Sequence, residues 1–369
     1  MTSVVDPPPA TLSYNARLGA KLRYVWQLGG AIASREGISR TRQYLEIAYL
    51  YLTRRFGPLM YYEHALWRRE LSLAQKRRHL KNAEFVHRVH TLNPPVYRKL
   101  SDNKLAEKAL LQSLGVPTAP LLGHLHPHQG SDTRCRPLTN PRQLEALLGE
   151  LGESRVCFKL PEGLGGEGFI AAEIRLQAGD VQLRRLPAGP EFQRVAEFYS
   201  QHLEPRVAAG LLIERYVEQH PQMARFNPSS LNTLRIWVLR QEAEVRVLGM
   251  VLRIGRQGEV VDNTHNGGIL AQVDLASGRL ARAKTGDLFP ATFSRHPDSG
   301  VQIEGQEVPL FDACLALARE ALRVFPRAHF AGLDMAITES GPLIVELNLE
   351  PSAISARNFG APLGDLLTW

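Results

Sequence analysis

From Tyr14 to Arg55, and again from Leu59 to His90, apolar residues recur every three or four positions between arginines, with Gly57-Pro58 as the break. That spacing predicts a helical region of roughly three or four helices, ended by Asn93-Pro94-Pro95. The stretch SDNKLAEKALLQSLGVPTAP, beginning at Ser101, reads as one more helix, with Ser101 or Asp102 as N-cap and Gly115 and Pro117 closing it. Beyond it the period shortens. RVCFKL at 155–160, FIAAEI at 169–174, GLLIERYV at 210–217, NTLRIWVLR at 232–240 and EVRVLGMVLRIG at 244–255 read as strands. DACLALAREALRVF at 312–325 is an amphipathic helix, and HFAGLDMAIT at 329–338 with PLIVELNL at 342–349 closes the chain as two more strands. There is no internal repeat and no low-complexity segment.

At 369 residues the chain is long for one core, and 44% apolar with 22% charged residues is a globular composition. The pattern divides it into a Pro-rich, disordered start at 1–12, a basic helical region at 13–98, a mixed subdomain at 99–225 and a second at 226–369. The start carries no basic segment leading into an apolar one, and no stretch approaches 18 uninterrupted apolar residues, so a cytoplasmic protein without a transmembrane segment is expected. Cys135, Cys157 and Cys314 are far apart and form neither a disulfide framework nor a zinc knuckle. Positive charge is concentrated near the start, in RTR at 40–42, WRRE at 67–70 and QKRRHLK at 75–81. Such runs suit solvated helix faces, an anionic membrane face or an anionic substrate. Without a nucleic-acid reader motif, nucleic acid is not an expected partner.

The segment FKLPEGLGGEGFI at 158–170 contains G-x-G-x-x-G in Gly163, Gly165 and Gly168. A dinucleotide turn would open a helix there; here a second strand follows, and no Lys-Ser or Lys-Thr completes a Walker loop. A hairpin with a mobile glycine-rich tip, including Gly166, is the better reading. Such a tip can fold its amides over phosphates, with Lys159 as a point charge beneath it.

A carboxylate pair stands at the far end. With Glu339-Ser340-Gly341 as the loop, Thr338 faces Pro342 and Asp334 lies opposite Glu346. Strict alternation then puts Glu346 and Asn348 on one face with Ile344, and Leu343, Val345 and Leu347 on the other. Asp334, Glu346 and Asn348 converge as three oxygen ligands suited to a hard divalent ion.

In their order, Lys104, Lys159, the glycine hairpin, LLIERYV and the Asp334, Glu346, Asn348 set resemble the ATP-grasp superfamily. QHPQMARFNPSSLNTLRIWVL, VVDNTHNGGILAQVDLASGRL and HFAGLDMAITESGPLIVELNLEPS look most like its sugar-transfer-associated group. The resemblance covers about residues 60 to 369. It implies an α+β ATP-grasp fold, two subdomains clasping ATP, behind the basic helical region. Lys104 and Lys159 would contact the phosphates under the tip from Gly163 to Gly168. Glu214, Arg215, Tyr216 and Val217 would form the adenine hinge, with the backbone of Arg215 and Val217 reading the base edge. Glu218 or His220 would meet the ribose, because Gln219, His220 and Pro221 replace the usual acidic residue. Asp334, Glu346 and Asn348 would hold one or two Mg2+ ions, with Mn2+ as the alternative. Arg235 and Arg253 would sit near the transferred phosphoryl and acyl groups, and His265 and Asn266 would contact substrate.

The activity implied is ligation of a small-molecule carboxylate to an amine through an acyl phosphate, consuming ATP. A kinase acting on a sugar hydroxyl is the first alternative, and a non-catalytic nucleotide-binding protein of polysaccharide assembly the second. The basic helical start departs from the Rossmann-like opening of well-characterised ligases, so acceptor identity stays open. Peripheral association through the basic helices and a homodimer are compatible with this reading.

Overall fold

The structure, a computed structural model, describes residues 17–163, 165–177, 179–187, 189 and 191–368, the side chain of His265 excepted. The start read as disordered over 1–12 lies outside the described residues. The architecture is α+β, with a helical N-terminal region and two antiparallel sheets of seven strands each. Contacts divide the chain into two units. One comprises the residues up to Arg88 with Asp287–Ala291 and those from Ser352 onward; the other comprises Val89–Gly286 and Thr292–Pro351.

The helical unit holds α1 (Leu18–Glu36), α2 (Arg40–Arg54), α3 (Pro58–Glu63) and α4 (Leu73–Arg77), followed by α5 (Asn82–Leu92). Ser39 caps α2 through the Arg42 amide at 3.3 Å, and Pro58 opens α3, which is why Gly57-Pro58 breaks the helical text. Leu28, Ile32, Leu50, Phe56, Tyr62 and Leu66 form its core. Buried Lys76 is paired with Glu46 at 2.6 Å, and the Tyr61 hydroxyl donates to the same carboxylate at 2.7 Å. Residues 352–368, read in the sequence with the last sheet, group with this unit instead. Phe359, Leu363, Leu366 and Leu367 are buried, and polar links join the segment to the helices: Arg357 donates to the Glu63 carbonyl at 2.7 Å, the Gly364 amide to the Arg78 carbonyl at 2.9 Å, and Arg78 pairs with Asp365 at 2.8 Å.

In the second unit, α6 (Lys99–Asp102) and α7 (Lys104–Ser113) precede the sheets. The cap of α7 is Asn103, whose Oδ1 accepts from the Ala106 amide at 3.1 Å; Ser101 and Asp102, the expected caps, are absorbed into α6. The first sheet is built from β1 (Leu121–Leu125), β2 (Ser131–Asp132), β3 (Ser154–Lys159), β4 (Ile170–Gln177), β5 (Asp180–Leu186), β6 (Gln193–Arg194) and β7 (Leu211–Arg215), in the order β2-β1-β7-β3-β4-β5-β6. One of its faces packs Val156, Phe158, Ile174 and Ile213 against α8 (Pro141–Leu151). Alternation therefore sends Cys157, Lys159 and Glu214 to the other face.

The second sheet contains β8 (Thr233–Gln241), β9 (Glu244–Ile254), β10 (Ile269–Val273), β11 (Leu280–Thr285), β12 (Thr292–Phe293), β13 (Phe330–Thr338) and β14 (Gly341–Asn348), ordered β12-β11-β10-β9-β8-β13-β14. Its core face lies in the cluster that includes Leu317, Ala321 and Leu322 of the helix Phe311–Val324.

The terminal hairpin reaches the expected pairing by a different path. Thr338 pairs with Gly341 across a two-residue loop, Met335 pairs with Ile344, and a bulge before Asp334 then restores Asp334 opposite Glu346. The extra residue reverses the alternation. Ile344 and Leu347 both enter the core, so Ile344 does not share the face of Glu346.

Candidate functional site

Neighbouring strands line up a polar stripe on the face of the second sheet turned away from its core. Asp334 is the register partner of Arg235 on β8 and of Glu346 on β14, while Arg253 on β9 is opposite Thr233. Arg235 grips Asp334 with two bonds, Nε to Oδ1 and Nη2 to Oδ2, the latter at 3.0 Å, and Arg253 adds a third from Nη2 at 2.8 Å. Burial alone would raise the Asp334 pKa, but the two guanidinium groups hold it below the ordinary carboxylate range. Arg253 also bonds the Thr233 hydroxyl at 3.0 and 2.8 Å and lies 3.4 Å from Asp262. Asp262 accepts the Thr233 amide at 3.0 Å, yet burial keeps its pKa above the usual value.

Helix α7 joins this stripe to the first sheet. Lys104, at its first position, donates to the Gly163 carbonyl at 2.7 Å and stands 3.6 Å from Glu346. One turn later, Lys108 donates to Thr118 Oγ1 at 2.8 Å and to the Val345 carbonyl at 3.2 Å, and lies 3.5 Å from Glu214. Positions i and i+4 share a helix face, so both ammonium groups point the same way. Glu214, completely buried, also pairs with Lys159 at 2.7 Å. Burial opposes its ionisation, but Lys108 and Lys159 together bring its pKa below the normal value; Lys159 is correspondingly raised, against its own desolvation, chiefly by Glu214. Glu107 is buried as well and accepts the Leu347 amide at 3.1 Å, and burial pushes its pKa well above the usual range.

Lys108, Glu107 and Asp262 are absent from the residues the sequence singles out. On helical periodicity Lys108 and Glu107 look like solvent-facing charges; only the packing of α7 against two sheets buries them.

The glycine segment forms the connection between β3 and β4, which pair from Phe158↔Ile170 to Ser154↔Ile174. Gly165, Gly166 and Gly168 all have positive φ, +60°, +80° and +70°, a conformation glycine adopts without penalty. Asn263 Nδ2 donates to the Gly165 carbonyl, and a Cβ on Gly166 would stand 2.9 Å from Val261. The tip is thus tethered to the segment 261–263, next to Asp262.

Part of the expected hinge is already engaged within the chain. The side chain of Glu214 belongs to the lysine cluster. The Arg215 amide is committed to the Pro120 carbonyl at 2.9 Å and the Tyr216 amide to the Arg155 carbonyl at 2.9 Å. Among the described residues the Val217 amide has no backbone hydrogen bond. Glu218, an exposed residue, pairs with Arg155 at 3.2 Å. His220 uses Nδ1 to accept the Gln222 amide at 3.2 Å and so caps a short helix. Asn266 turns to Glu259 at 3.1 Å, and it is Asn263 that reaches the glycine tip. The His265 side chain lies outside what the structure describes.

The expected metal ligands are two carboxylates and an amide oxygen on adjacent strands, a donor set whose chemistry fits a hard cation. Asn348 Oδ1 presently accepts the Glu350 amide at 2.9 Å, and both oxygens of Asp334 are bonded to arginine. Among the described residues, no group of three or more His, Cys, Asp or Glu side chains is placed to hold a metal. A cation bound by Asp334 would share that carboxylate with two guanidinium groups.

Residues 81–357 match the family model described as sugar-transfer associated ATP-grasp. Solved structures similar to the chain include biotin carboxylase from Campylobacter jejuni, with 11% identity over 73% of this chain and 46% of that one and a TM-score of 0.39. D-alanyl-alanine synthetase A from Vibrio cholerae gives 11% identity over 73% and 63%, with a TM-score of 0.42. D-cycloserine synthetase gives 14% over 75% and 71%, with a TM-score of 0.40. The chain spans about half the length of the biotin carboxylase it matches. No curated protein sequence matches it. With its family model matched along some three quarters of its length, the chain belongs to the sugar-transfer-associated ATP-grasp family.

Proposed function

We propose that the protein is an ATP-dependent ligase that joins a carboxylate to an amine through an acyl phosphate, releasing ADP and phosphate. The observation that carries this reading is the continuous line of charge from Lys104 through Glu346 and Asp334 to Arg235 and Arg253. Opposite charges set on rigid strands suit a reaction in which a phosphoryl group crosses between two anionic oxygens.

In this reading ATP lies between the two sheets, with its base at the Val217 amide and its phosphates under Gly165 to Gly168. Lys159 and Lys104 supply point charges to those phosphates, and Glu214 keeps Lys159 protonated and aimed. Mg2+, held by Asp334, Glu346 and Asn348, would offset phosphate charge. Arg235 and Arg253, once partly released from Asp334, present planar guanidinium groups to the substrate carboxylate and to the forming acyl phosphate. A neutral amine then attacks the acyl carbon; no general base is required of the chain.

The test is ATP turnover by the purified protein, screened against pools of amino acids, peptides and sugar acids with and without amines. Ligation yields an amide together with ADP and free phosphate. A phosphorylated sugar with ADP and no free phosphate would instead establish the kinase reading.

A further inference from the structure

The helical unit contains a cavity unconnected with the polar stripe. Fifteen lysines and arginines against six acidic residues up to Arg88 make this end of the chain strongly basic. Four of those arginines, Arg54, Arg77, Arg78 and Arg88, line one surface cavity of about 450 Å³, closed on another side by Gly364, Asp365 and Thr368. Two are neutralised locally: Arg54 by Glu84 at 3.2 Å and Arg78 by Asp365 at 2.8 Å. The other two are not. The recorded bond of Arg77 is a 3.5 Å contact to the Tyr49 hydroxyl, and Arg88 has no recorded partner among the described residues.

Like charges gathered in a concavity repel and focus a positive potential, a cost that a multiply charged anion offsets. A guanidinium group with unused donors matches phosphate oxygens in geometry as well as charge. The volume exceeds that of a bare phosphate and leaves room for an attached sugar or glycerol. We propose that this arginine-lined cavity binds a phosphate group carried on a larger polar molecule. The phosphate can be borne by a soluble ester or by a lipid. The lipid source is worth a separate arm because large apolar side chains of the same unit, Leu22, Trp26, Leu45 and Leu52, are exposed.

Binding of glycerol phosphate and of pyrophosphate is measured calorimetrically at low ionic strength. Sedimentation is measured with vesicles of phosphatidic acid in phosphatidylcholine. The full chain is compared with the double variant Arg77→Ala/Arg88→Ala and with Arg23→Ala/Arg55→Ala, which removes the same charge outside the cavity. Circular dichroism melting verifies that both variants fold. The proposal expects binding in at least one arm, weakened tenfold or more by the first pair and less than twofold by the second. Soluble binding identifies an ester source, and vesicle binding alone a lipid. Equal loss in the two variants, no loss in either, or no binding in any arm overturns it.

Discussion

Asp334 has three hydrogen bonds from two arginines, and Glu346 faces it across the strand pair with Lys104 as its nearest cation. Glu346→Gln keeps shape and removes charge, so melting should stay within about a degree while ATP turnover falls by roughly 100-fold or more. Unchanged turnover would remove Glu346 from the site. Arg253→Ala leaves Asp262 buried without its cation, and a loss of about 3 kcal/mol in urea unfolding is expected. The sequence reaches the Asp334 to Glu346 pairing from a register that is one residue off at the turn, Thr338 opposite Pro342 where the structure has Gly341, and the bulge compensates. It does not disclose the bulge at Val345, since one inserted residue in a run of β-branched and leucine side chains leaves no local mark. Nor does it mark Lys108, whose burial depends on surfaces far away in the chain.

At the scale of elements, α7 and the glycine connection position the cations. Asn103 caps α7 one residue before Lys104. Asn103→Ala should cost about 1 kcal/mol of stability and weaken ATP binding as Lys104 loses its fixed start. Binding by the folded variant equal to that of the parent would show that the cap has no part in placing the lysine. Gly166→Ala meets both a positive φ and a contact with Val261. Its expected effect is a raised KM for ATP together with a stability loss of about 1–2 kcal/mol from the left-handed strain, read from steady-state kinetics and urea unfolding. Strand, turn, strand was legible here because period-two text flanks the glycines. The tether was not: among several asparagines in the 262–268 loop, nothing but the fold selects Asn263 over Asn266.

For the molecule as a whole, the helical unit contributes an acid sensitivity of its own. Burial, with repulsion from His79 and Arg357 adding to it, lowers the His64 pKa to about 4, and burial, against the pull of Asp365, lowers that of His79 to about 4. In the unfolded chain both take up protons near pH 6.5. The unfolded state thus binds more protons below that pH, and stability is full above it, falls as pH drops and is lost by about pH 4. For His79 alone the loss is about 3 kcal/mol. Urea titrations between pH 7 and pH 4 should show it, and His79→Leu should flatten the dependence; a variant with the parental slope would contradict the assignment.

The helical start and the β-rich remainder were legible from the change of period at about residue 100, but the return of residues 352–368 to the helices was not. That return buries Phe359, Leu363, Leu366 and Leu367 and adds backbone and ion-pair links, but its short helical turns carry no hydrophobic period long enough to announce it.

The central claim, transfer of a phosphoryl group to a carboxylate on the Arg235, Asp334, Arg253 stripe, is tested most directly by isotope. Once the acid is found, ATP turnover is run with both carboxylate oxygens as oxygen-18, and the released phosphate is weighed by mass spectrometry. One labelled oxygen per phosphate is the predicted result, because the acyl carbon keeps one label while the other leaves with phosphorus. Phosphate without label, alongside amide product, would contradict an acyl phosphate.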